Sequence, residues 1–228
     1  MSVLDNTTVL LGKELRTEFR SRELLTTTVI FVLMVLVLFS FTLDPAAEPT
    51  AAESRRFSPG LLWLAFLFAA SLMLQPCFLR EQVNDTLSAL RLSVSDPFAI
   101  FVAKVVANTL FLLLTELLLL PIFAVLYNVA VKSVFPQVLL VFLLGSLGVS
   151  TAGTALSAIS AQARMRELML PLLLLPLMTP VLVVSKEVTA GLLDPNPFMR
   201  WKGVAFLAIF DLVFLTALWL FGEYLLEE

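Results

Sequence analysis

Six long apolar stretches constrain this chain more than any motif it carries. They run Leu24–Leu43, Pro59–Leu79, Pro97–Leu126, Phe135–Ala161, Leu168–Val184 and Gly203–Leu226. A helix needs about 17–25 apolar residues to cross a bilayer, and lipid offers an unpaired backbone group nothing to bond. Each stretch is near or above that length, so the expected fold class is an all-α membrane protein with six transmembrane helices. Of the 228 residues, 59% are apolar and only 14% are charged, against about 25% charged in a typical soluble domain. Mean hydropathy is +0.96. A soluble core of this size has no room for so much apolar side chain, whereas a lipid bilayer can take the place of core.

The same composition removes whole classes of function. A net charge of −3 argues against nucleic acid as a partner. There is no histidine, hence neither the commonest general base nor the commonest haem and metal ligand. The lone cysteine, Cys77, allows no intrachain disulfide and no thiolate cluster, and it reads as a small apolar filler. No P-loop pattern occurs, and the polar breaks are too short to form a nucleotide-binding domain. Without a serine–histidine, cysteine–histidine or metal constellation, the chain does not read as an enzyme, and no catalytic residue, metal or bound cofactor is expected.

Two segments are amphipathic rather than spanning. In Leu4–Glu23, Leu11, Leu15 and Phe19 fall with Leu4 on one helical face, and Lys13, Arg16 and Arg20 lie largely elsewhere. Such a helix is expected to lie in the membrane interface. In Arg80–Ser95, Val83, Leu87, Leu90 and Val94 form a stripe, with Arg80, Glu81, Asp85, Ser88 and Arg91 mostly away from it. Asp96-Pro97 reads as an N-cap and first-turn proline for the third span. Residues 1–228 are expected to form one transmembrane domain, with an interfacial helix over 1–23 and a six-helix bundle over 24–226. The charged first twenty or so residues do not resemble a cleavable signal peptide. Six spans put both termini on one side, which carries nine of the fifteen Lys and Arg residues. The bias places both termini in the cytoplasm.

Within the spans, Gly145, Gly148 and Ala152 lie in a small-residue stripe, beside a second formed by Ser146, Ser150, Thr154 and Ala158. Small faces let helices pack closely in lipid. Pro171, Pro176 and Pro180 should kink or break the fifth span. Glu116 and Asp211 lie inside apolar stretches, where an ionisable group is costly. Each is read either as a polar point on a path or interface, or as a hydrogen-bonded packing element. Lys104, two turns into span three, is read as a solvated anchor that snorkels to the cytoplasm.

The run REQVNDTLSALRLSVSDPFAIFVAKVVAN (Arg80–Asn108) resembles the cytoplasmic loop of ABC exporter permeases of the drug and polysaccharide type. The matching positions are Glu81, Thr86-Leu87, Leu90, Ser95-Asp96-Pro97 and Lys104, although Asn84-Asp85 stands where that class often has glycine. The run LLGSLGVSTAGTALSAISAQARMRELMLPLLLLPLMTPVLVVSKEVTAGL (Leu143–Leu192) resembles the CcmB family, the haem exporter B permeases of cytochrome c maturation. The resemblance implies a membrane permease subunit of an ABC-type complex in the bacterial inner membrane. A separate ATPase, CcmA, would supply ATP hydrolysis and couple through 80–96, at Glu81, Asp85, Thr86, Leu87, Leu90 and Pro97. It further implies CcmC and CcmD as partners, a homodimer, and haem as the cargo of the complex. Other readings are an ABC export permease for a lipid or drug, and a self-contained secondary transporter. The latter predicts inverted repeats and paired intramembrane charges, which the sequence does not display.

Overall fold

In the computed structural model, residues 3–42, 51–83, 98–161 and 166–227 are described. They form α1 (Val3–Ser21), α2 (Glu23–Thr42), α3 (Ala51–Leu74), α4 (Pro76–Val83), α5 (Phe98–Leu126), α6 (Phe135–Ala161), α7 (Arg166–Leu192) and α8 (Trp201–Glu227), with a 3-10 turn at Lys132–Val134 before α6. The described residues contain no strand. Six segments are long and apolar enough to cross a membrane: Glu23–Phe41, Phe57–Gln82, Phe98–Leu126, Lys132–Ala161, Leu168–Leu192 and Trp201–Gly222. The all-α, six-span reading therefore holds.

Helix α6 is the centre of the packing, touching α3, α4, α5, α7 and α8. About two thirds of its span (67%) is buried, against 17% for α2 and α8 at the periphery. Its glycines make this possible. A Cβ at Gly145 would lie 2.5 Å from the Trp63 indole of α3, and one at Gly148 would lie 2.6 Å from Asp211 Oδ1 of α8. A Cβ at Gly153 would overlap Leu74. Ala152 is fully buried on the same helix. Lipid supplies no hydrophobic drive between helices, so such close approach is what binds them.

At the other end of the sequence, α1 packs against α5. One residue, Arg22, separates α1 from α2. It adopts a left-handed conformation (φ 53°), and its N–H donates to the Glu18 carbonyl at 2.8 Å. A left-handed residue at a helix C-terminus lets the chain turn sharply. The C-terminal part of α8 comes to the same end of the molecule, since the Cβ position of Gly222 lies 3.2 Å from Phe101 of α5.

Two features of α7 bear on the sequence reading. Helix α7 continues to Leu192 rather than stopping at Val184. Beyond Val184, Ser185, Val188, Thr189 and Leu192 stand at i, i+3, i+4 and i+7 on one helical face, and all four are buried. The inward stripe thus persists although Lys186 and Glu187 interrupt the hydropathy. Pro171, Pro176 and Pro180 do not break α7, which is one continuous helix. Packing against neighbours allows a membrane helix to keep proline in its interior. Most of Arg80–Ser95 lies outside the described residues.

Replacing Gly145 or Gly148 with leucine is expected to lower stability by about 1–3 kcal/mol, the usual cost of overpacking. The melting temperature of the purified protein in detergent measures this. An unchanged melting temperature would mean that these positions face lipid.

Candidate functional site

The polar groups of the cytoplasm-assigned end collect in one buried cluster. Lys104, two turns into α5, is only 2% exposed. Its ammonium donates to Glu81 Oε1 of α4 at 2.9 Å, to Glu14 Oε1 of α1 at 3.2 Å and to the Cys77 carbonyl at 2.5 Å. All three of its protons are therefore used. The ring of Phe78 lies 4.9 Å away beneath it. Lys13 reaches the same Glu81 oxygen at 2.9 Å, and Arg80 pairs with Glu18 at 3.1 Å. Three cations face three carboxylates, and residues 13–18, 80–81 and 104 are drawn together from three helices. The expectation that Lys104 is a solvated anchor is corrected: a desolvated ammonium needs partners, and α1 and α4 provide them.

From this cluster a polar seam runs inward between α5 and α6. Asn108 donates to Thr154 Oγ1 at 3.1 Å and to Cys77 Sγ at 3.3 Å. Two helical turns deeper, Ser146 donates to Glu116 Oε2 at 2.8 Å. The antiparallel register is the same at both points, since the paired numbers have the same sum. Each hydrogen bond satisfies a polar group that lipid would leave unpaired.

Glu116 and Asp211 are 6% and 4% exposed, so both are buried against protein. They do not meet. Glu116 contacts α6 at Ser146, and Asp211 lies against Gly148. Two residues on a helix are about 200° apart, so the carboxylates approach α6 from nearly opposite sides. Glu116 Oε1 and Asp211 Oδ2 have no hydrogen-bond partner among the described residues.

Of the residues assigned to ATPase coupling, Glu81 is described and faces inward to Lys104 and Lys13. Asp85, Thr86, Leu87, Leu90 and Pro97 lie outside the described residues. Gly145, Gly148 and Ala152 stand on α6 at its contacts with α3 and α8 or in its buried interior. The sequence reading passed over Glu14 and Glu18. They are spaced i, i+4 beside the inward Leu11 and Leu15, and Glu18 is fully buried. Carboxylates at helical spacing along an apolar stripe, with an unpaired lysine deep in another span, were the available signal. Among the described residues no three His, Cys, Asp or Glu side chains group to hold a metal ion.

Removing Lys104 leaves Glu81 and Glu14 with only the half-exposed ammonium of Lys13 as counter-charge. Lys104→Met is expected to destabilise the protein by about 3–5 kcal/mol, and Lys13→Ala, at an exposed lysine, by about 1 kcal/mol or less. Adding Glu81→Leu to Lys104→Met should recover part of the loss. Chemical denaturation in mixed micelles reads all three variants, and a Lys104→Met protein as stable as wild type would remove the cluster from the account of the fold.

Comparison with known proteins fits this architecture. The family profile described as CcmB protein matches residues 6–220. Heme exporter protein B of Pseudomonas aeruginosa is 31% identical over 189 residues, covering 83% of this chain and 82% of that protein. The Haemophilus influenzae protein of the same name is 30% identical, covering 82% of this chain and 83% of its own length. That of Rhodobacter capsulatus is 30% identical, covering 78% and 79%. With a family match spanning most of its length and relatives of similar size, the chain belongs to the CcmB family.

Proposed function

We propose that this protein is the membrane permease subunit of an ABC-type complex that delivers haem for c-type cytochrome biogenesis, and that it converts motion of a separate ATPase into movement of its spans. Residues 1–228 act as one permease domain in the bacterial inner membrane, with both termini in the cytoplasm. The observation that carries the reading is the cluster around Lys104. It joins the amphipathic helix α1, the start of the Arg80–Ser95 segment and the third span into one unit. A push on 84–97 reaches Glu81 within a few residues, and from Glu81 it reaches α1 and α5 through charge-assisted hydrogen bonds. Glu81 in this reading transmits force, while Asp85, Thr86, Leu87, Leu90 and Pro97 form the surface for the ATPase, CcmA. CcmC, CcmD and a second copy of this chain complete the assembly.

Haem is cargo here and not a resident cofactor. With no imidazole, iron would fall to Cys77, a tyrosine or a methionine. Cys77 Sγ accepts from Asn108, and the Tyr127 hydroxyl donates to the Leu36 carbonyl at 3.0 Å. These two groups are engaged in holding helices together, and the reading assigns iron ligation to a partner.

Asp85→Lys is expected to weaken retention of the ATPase about tenfold or more, because like charges opposed at an interface cost several kcal/mol. Glu81→Gln should retain the ATPase and lose haem delivery, since it loosens the cluster without altering the docking surface. Co-purification from the native membrane and assay of holocytochrome c read the two effects. Undiminished ATPase retention by a correctly inserted Asp85→Lys protein would sink the docking role.

A further inference from the structure

The end of the bundle remote from the ion cluster carries a cleft that the coupling reading does not use. It lies between the last turns of α7 and the first turn of α8, has a volume of about 410 Å³, and is lined by Val184, Glu187, Val188, Arg200, Trp201, Lys202 and Gly203. Gly203 shapes its floor: a Cβ there would meet Val188 Cγ2 at 2.5 Å. Its rim is charged. Glu187 pairs with Lys186 at 2.9 Å and with Arg200 at 3.3 Å. Arg200 also lies over the Phe198 ring at 5.2 Å. Lys202 is exposed and has no ion-pair partner among the described residues.

We propose that this cleft holds the headgroup and upper acyl chain of an anionic phospholipid. Three observations single out that occupant. The first is depth. Gly203 and Gly222 lie nineteen residues apart on α8, about 28 Å at 1.5 Å per residue, close to the thickness of the hydrocarbon layer. Gly222 meets Phe101 near the ion cluster, so the cleft lies at the headgroup level of the opposite leaflet. The second is chemistry. The partly exposed Val184 and Gly203, with Trp201 beside them, suit an acyl chain, while Arg200 and Lys202 against the single carboxylate of Glu187 suit a phosphate. The third is the lateral opening. Trp201 is 68% exposed beside the cleft, and its amphipathic ring occupies the level where indoles favour the membrane boundary. A volume of this size is within the range of small-ligand sites.

The test uses the full chain, purified and exchanged into mixed micelles containing equal phosphatidylglycerol and phosphatidylcholine. Native mass spectrometry counts the lipids retained. Wild type is expected to retain phosphatidylglycerol over phosphatidylcholine at least about fivefold, a preference that Lys202→Glu removes. Phosphatidylglycerol brominated on its upper acyl chain should quench a component of the fluorescence that is missing in Trp201→Phe. Val184→Trp, which fills the cleft, should lose both signals; if that variant fails to fold, Lys202→Glu decides alone. Equal retention of the two lipids by wild type overturns the proposal. So does phosphatidylglycerol retention in Lys202→Glu at the wild-type level, or quenching that survives Trp201→Phe unchanged.

Discussion

The bundle depends on how near its helices come to α6. In lipid, apolar side chains gain nothing by leaving one apolar surface for another, so van der Waals contact and hydrogen bonds must hold the spans together. Three glycines of α6 each admit one large group, two from α3 and one from α8. Gly145 admits Trp63, Gly148 admits Asp211 and Gly153 admits Leu74. Trp63 extends the contact by donating from its indole N–H to Thr189 Oγ1 at 3.0 Å. One side chain thereby joins α3, α6 and α7. The small residues are the negative image of what surrounds them.

The second organising interaction is the ion cluster. Its charges are balanced and its central ammonium has every proton engaged, as burial of a charge demands. Those partners come from α1 and α4, so the amphipathic N-terminal helix is part of the bundle's polar structure as well as its surface. Glu18 serves α1 twice. Its side chain pairs with Arg80, and its carbonyl accepts from Arg22 at the turn into α2. Through these contacts α4 is joined both to α5 and to the turn before the first span.

The six spans were legible because bilayer thickness and backbone pairing act on every residue of a span alike. Features that depend on residues distant in sequence were not. Lys104 taken alone suits a snorkelling anchor; only the approach of residues 14 and 81 makes it a buried centre. The end of α7 was hidden because Lys186 and Glu187 break the apolar run, although the inward positions Ser185, Val188, Thr189 and Leu192 continue undisturbed. Glu116 and Asp211 were identifiable by the cost of their depth. Their separation on opposite sides of α6 was not, because it depends on which face of α6 each neighbour meets. Similarity over most of the chain shows the family.

The seam between α5 and α6 has a kinematic consequence. Asn108 with Thr154 and Glu116 with Ser146 are two latches of identical register, eight residues apart on each helix. A slide of one helix along the other by less than a full turn, about 5.4 Å, opens both latches together inside an apolar medium. Small relative displacements therefore cost both hydrogen bonds at once, about 1 kcal/mol together, which ties the movement of the two helices. In the coupling reading proposed above, work delivered at the lysine end would pass toward Glu116 along these two helices together.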